Sequence, residues 1–186
     1  MRNGIEIPKI QKTRFYFTNK EIVMIAAFFA LMMFSEIIWV GGLLIGNIFY
    51  GIVEGIIVIT AALVIGKKYT ILTLGIVKTI VEFSLANMYG GTLVALSYLA
   101  AAIVLEIIFQ VSGSYGNNLK IDVIGATVYG TVLRVTGVSI TVFFYGMTLP
   151  LWLIIILVIL PIIPFTIGGF LGYKVGERVK NVVESV

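Results

Sequence analysis

Six apolar runs, each long enough to cross a bilayer and joined by very short connections, leave this chain little to fold into except a bundle of membrane-spanning helices. They fall at roughly 21–40, 43–66, 69–88, 92–112, 122–145 and 149–173. The runs are continuous rather than alternating every second residue, which favours helices over the strands of a membrane barrel. Composition agrees: 60% of the residues are hydrophobic, 12% are charged, and the mean hydropathy is +1.11. The expected fold class is all-α, a polytopic membrane protein with six transmembrane helices. Residues 1–186 form one integral membrane domain, with 1–20 as a basic arm and 174–186 as a tail.

Charge placement gives the topology. Of the 13 Lys and Arg residues, all but Lys78 and Arg134 fall in the N-terminal arm (Arg2, Lys9, Lys12, Arg14, Lys20), two alternate connections (Lys67, Lys68, Lys120) or the C-terminal tail (Lys174, Arg178, Lys180). The other connections, Gly41-Gly42, Tyr89-Gly90-Gly91 and Gly146-Met147-Thr148, carry no charge. Cytoplasmic loops concentrate Lys and Arg, so both termini are expected in the cytoplasm. The net charge of +4 follows from this placement, and no nucleic-acid partner is expected. The first run is expected to be retained as a span, because it exceeds the roughly 7–15-residue core of a signal peptide. Thr18-Asn19-Lys20-Glu21 has the pattern of a capping box that starts the first helix.

Several chemistries are excluded. There is no Cys and no His, so disulfides, thiolate or imidazole metal sites and Ser-His triads are absent. Gly66-Lys67-Lys68-Tyr69-Thr70 lacks the spacing of a phosphate-binding loop, and no TVGYG filter is present. No enzymatic activity and no metal or other cofactor are expected, which leaves a carrier or a binding subunit.

The chemistry that remains is intramembrane charge: Glu36, Glu54, Lys78, Glu82, Glu106 and Arg134. A charge at the centre of a span costs about 2.5–3.5 kcal/mol, so each needs a partner or a purpose. Lys78 and Glu82 stand one helical turn apart and are expected to pair. Arg134 is expected to find Glu54 or Glu106. The carboxylates left over suit a cationic or proton-coupled ligand, or carboxylates kept neutral. With the N-terminus inside, Glu36, Trp39, Glu82, Asn87, Tyr89 and Tyr98 gather beneath the outer surface. Aromatic rings with a few polar groups make a pocket for a small heteroaromatic ligand. An interfacial aromatic belt would account for Trp39 and Tyr89 as well.

Small residues recur at four-residue spacing: Ala26-Ala30, Gly42-Gly46, Gly51-Gly55, Ala126-Gly130 and Gly168-Gly172-Gly176. Such pairs let helix backbones approach closely, either within the bundle or against a separate membrane partner. Pro161 and Pro164 lie inside the last run, where Pro161 should open the helical ladder.

Glu21-Ile22-Val23-Met24-Ile25-Ala26-Ala27-Phe28-Phe29-Ala30, following a basic arm, resembles the opening of the substrate-capture (S) components of energy-coupling factor (ECF) transporters. The first helix of those proteins carries an Ala-xxx-Ala motif. The closing Gly168-Gly169-Phe170-Leu171-Gly172-Tyr173-Lys174 and basic tail are similar too. Asn47-Ile48-Phe49-Tyr50-Gly51-Ile52 and Glu106-Ile107-Ile108-Phe109 resemble segments of the YkoE-like subgroup, associated with thiamin or its hydroxymethylpyrimidine precursor. Asn47 stands where that subgroup tends to have a carboxylate. The resemblance implies that Asn47 and Glu106 join the substrate-binding residues, and that Ala26 and Ala30 face a transmembrane coupling (T) subunit. Two ATP-binding subunits would supply the energy, with ATP used by those partners alone. The competing readings are a self-contained proton- or cation-coupled secondary carrier and an assembly subunit of a larger membrane complex.

Overall fold

A computed structural model describes residues 16–85 and 92–184. Among them the chain is entirely helical: α1 (Asn19–Ser35), α2 (Leu43–Ile65), α3 (Thr70–Leu85), α4 (Leu96–Ser112), α5 (Leu119–Phe143), α6 (Leu151–Val158) and α7 (Ile162–Glu184). Short 3₁₀ turns extend α1 (Glu36–Gly41) and precede α4 (Thr92–Ala95). Asn19–Gly41, Leu43–Ile65, Thr92–Ser112, Leu119–Phe143 and Leu151–Val183 are long and apolar enough to cross a membrane. The remaining expected span is represented by the 16 residues of α3, with 86–91 outside the described residues.

Local signals set the helix ends. Thr18 and Glu21 form the expected capping box, the Thr18 N–H donating to Glu21 Oε2 at 2.6 Å and the Glu21 N–H to Thr18 Oγ1 at 3.3 Å. Asn118 caps α5 through the Lys120 N–H at 3.0 Å. The last run is broken at Pro161, which cannot donate to the ladder, so a turn separates α6 from α7. Helix α7 then continues through the expected tail to Glu184.

Most of the small-residue pairs close the bundle. Helices α2 and α7 cross with almost nothing between them: a Cβ on Gly55 would lie 3.1 Å from Gly168 Cα, and one on Gly172 would lie 2.9 Å from the Ile56 carbonyl. Phe165 occupies the space that Gly51 and Gly130 leave open. Ala26 and Ala30 differ. Both are exposed on the outer face of α1, whose buried residues are Ile25, Met32 and Ser35. Large apolar side chains such as Val23, Phe34, Val40, Phe49 and Val111 are also exposed, as a bundle solvated by lipid requires.

The two ends of the bundle differ as the charge pattern implies. At one end Lys67 pairs with Glu21 at 3.0 Å, and Lys20 Nζ donates to the Val183 carbonyl at 3.1 Å. The start of α1, the α2–α3 turn and the end of α7 therefore lie together. At the other end Trp39, Val94, Met147 and Leu149, from the three uncharged connections or their borders, line one cavity. Cysteines introduced at Gly41 and Met147 should react with an impermeant thiol reagent outside intact cells, while those at Lys67 and Asn117 should not. Labelling with the opposite pattern would invert the topology.

Candidate functional site

The charged centre of the bundle is built around Lys78. Its side chain is fully buried and pairs with Glu36 Oε1 at 2.8 Å and Glu54 Oε1 at 3.3 Å. It also donates to the Tyr50 hydroxyl at 3.1 Å and lies 4.3 Å from the centre of the Tyr98 ring. The hydroxyls of Tyr50 and Tyr98 donate to Glu36 Oε1 at 3.1 and 3.0 Å. Glu54 receives Ser35 Oγ at 3.2 Å and the Tyr129 hydroxyl at 3.3 Å. One ammonium thus holds two carboxylates inside a cage of hydroxyls, which offsets part of the desolvation cost of burying Lys78 and Glu54.

This arrangement corrects the expected pairing. Lys78 turns across the bundle to α1 and α2 rather than along its own helix to Glu82; among the described residues no ion pair joins it to Glu82. Two carboxylates and a tyrosine cage offer more to a buried ammonium than one neighbour at the half-open end of α3. Arg134 is not neutralised by Glu54 or Glu106 either. Its guanidinium lies over Trp39 and Tyr50, 4.8 and 5.3 Å from the ring centres.

Beside this centre is a cavity of about 350 Å³, at the lower end of the range for small-molecule sites. Glu36, Ser97, Tyr98, Arg134 and Thr141 give it its polar groups, with Trp39 and Leu133 beside them. Leu153 and Leu157 of α6 form part of the opposite wall. The 3₁₀ turn after α1 places Glu36 and Trp39 on this inner side, and Gly46 makes room for the indole: a Cβ there would lie 2.7 Å from Trp39 Cε3. Glu36 remains about a quarter exposed, at 26%, whereas Glu54 is sealed.

The expected site residues therefore separate. Glu36, Trp39 and Tyr98 come together in the cavity. Asn47 is fully buried on the face of α2 that carries Tyr50 and Glu54, and its amide has no hydrogen-bond partner among the described residues. Glu82 is buried on α3 but is not part of the cavity wall. Asn87 and Tyr89 lie outside the described residues. Glu106 sits elsewhere, at the start of α3. It accepts the Tyr69 N–H at 2.6 Å, the Leu72 N–H at 3.3 Å, the Tyr115 hydroxyl at 2.7 Å and Gln110 Nε2 at 2.9 Å. Burial above all, with this carboxylate adding to it, raises the Tyr115 pKa above the ordinary tyrosine value. Arg134 was legible only as a charge needing neutralisation; its place in the cavity depends on how α5 packs against the turn after α1.

No family model and no curated protein matches the chain. Among solved structures, a crystal structure of "an S-component of ECF transporter" superposes with a TM-score of 0.58 at 20% identity, covering 90% of this chain and 85% of that one. The two share a fold. The likeness covers nearly the whole length of both chains.

Glu106 also holds Tyr69, whose backbone has the left-handed φ of 67°, a conformation that costs a residue with a Cβ about 1–2 kcal/mol. A Gln at position 106 has one acceptor oxygen and directs an NH₂ at backbone donors. Glu106→Gln should therefore destabilise the protein by about 1–3 kcal/mol while leaving ligand occupancy of the cavity unchanged. Thermal unfolding in detergent, with bound small molecules quantified in parallel, checks both outcomes.

Proposed function

We propose that this protein is the membrane-embedded substrate-binding component of an ECF-type importer, residing in the plasma membrane with both termini cytoplasmic. It captures a small micronutrient of vitamin size from outside; thiamin and hydroxymethylpyrimidine are the compounds to which the subgroup resemblance points. The observation that carries this reading is the cavity itself. A ligand-sized space opens at the end of the bundle formed by the uncharged connections, and Glu36, Trp39, Tyr98 and Arg134 surround it. The shared fold with a solved S-component supports the same reading. The protein performs no catalysis; a transmembrane coupling subunit and two ATP-binding subunits supply the energy.

Ala26 and Ala30 are the docking points proposed for the coupling subunit. They lie on the exposed face of α1, apart from the cavity on its inner side, and small side chains permit close backbone approach. Replacing both with Leu should abolish copurification of ATPases bearing Walker motifs and abolish uptake, with ligand binding near normal. Equal loss of binding and assembly would return the pair to the bundle's own packing. Uptake by the isolated protein, driven by a pH gradient, would instead make it a self-contained secondary carrier.

A further inference from the structure

The cavity contains one half of an ion pair. Arg134 Nε and Nη2 are buried and have no hydrogen-bond partner among the described residues, and no ion pair among those residues involves this side chain. Three of the four oxygens of Glu36 and Glu54 are already committed. Glu36 Oε1 takes Lys78, Tyr50 and Tyr98, and Glu54 takes Lys78, Ser35 and Tyr129. Glu106 is bound at the start of α3. The guanidinium carbon nevertheless lies over the Trp39 and Tyr50 rings, 4.8 and 5.3 Å from their centres. Such cation–π contact holds the guanidinium at the cavity wall without using its N–H donors.

A guanidinium fork matches the two oxygens of a carboxylate or phosphate, each taking one of two parallel N–H bonds. An unpaired cation at this depth is costly, and an entering oxyanion removes that cost. We infer that the ligand bears an oxyanion, a carboxylate or a phosphate ester, which binds Arg134 in a cavity that also offers an apolar wall to the rest of the molecule. This deepens the proposed function and rests on it. It selects an acidic micronutrient over a cationic one such as thiamin. The leftover carboxylates point the other way when read from sequence, but Glu36 Oε1 and both Glu54 oxygens are engaged by Lys78 and its hydroxyl cage.

The test compares wild type, Arg134→Lys and Arg134→Gln, each purified from cells into lipid nanodiscs. Small molecules released on denaturation are identified by mass spectrometry, with empty nanodiscs from the same membranes as the control. The expected result is an acidic molecule from wild type and at least tenfold less of it from R134Q. R134K, which keeps the charge but loses the fork, should lie between them. Mass and fragmentation distinguish a carboxylate from a phosphate ester. Removing an unpaired cation should not lower the melting temperature of the ligand-free protein, and a lowered one would make Arg134 structural and overturn the inference. A neutral or cationic molecule, or equal release from R134Q, would overturn it while leaving the binding-component reading in place. No released molecule from wild type would count against both.

Discussion

A lysine in the hydrocarbon must be answered, and the arrangement of this bundle follows from how Lys78 is answered. Its ammonium draws Glu36 from the end of α1 and Glu54 from α2. The hydroxyls that fill the remaining positions come from Tyr50 on α2, Tyr98 on α4 and Tyr129 on α5. Five helices meet around one charge. Packings that separate α1, α2 or α3 strand a carboxylate or the ammonium in a medium that does not solvate it, and those that displace α4 or α5 remove hydroxyls from the carboxylates.

The cavity is a consequence of that centre. Fixing Glu36 fixes the 3₁₀ turn that follows, and the turn delivers Trp39 over Gly46 and against Tyr50, with ring centres 5.6 Å apart. Those two rings then hold the Arg134 guanidinium. On the far side α6 is separated from α7 at Pro161, and its leucines reach the cavity without disturbing the α2–α7 contact. That contact needs glycine on both helices. Helix α7, packed on α2, and the α6 wall of the cavity therefore meet at Pro161.

Much of this is legible in the sequence because the bilayer allows few solutions. Span positions, the shared end of the basic segments, the Thr18–Glu21 cap and the break at Pro161 each follow from a local rule. Pairing of the buried charges does not. The i, i+4 rule places Glu82 beside Lys78, and only the three-dimensional packing reveals that Glu36 and Glu54 approach from other helices with hydroxyls already aligned. Glu106 illustrates the same limit: a carboxylate in an apolar run reads as a ligand group, yet here it satisfies the N–H groups that every helix start leaves open. Arg134 is the reverse case, a charge that reads as structural and lines the cavity with no ion-pair partner among the described residues.

A pair of double-mutant cycles in thermal or denaturant unfolding tests the organising role of Lys78 most directly. One cycle combines Lys78→Met with Glu54→Leu, the other Lys78→Met with Glu82→Leu. The account expects strong coupling between Lys78 and Glu54, of at least about 1.5 kcal/mol, and coupling to Glu82 within about 0.5 kcal/mol, the size of an ordinary i, i+4 helix pair. Strong coupling to Glu82 with none to Glu54 would mean that the charge is answered along its own helix, and the centre described here would not exist.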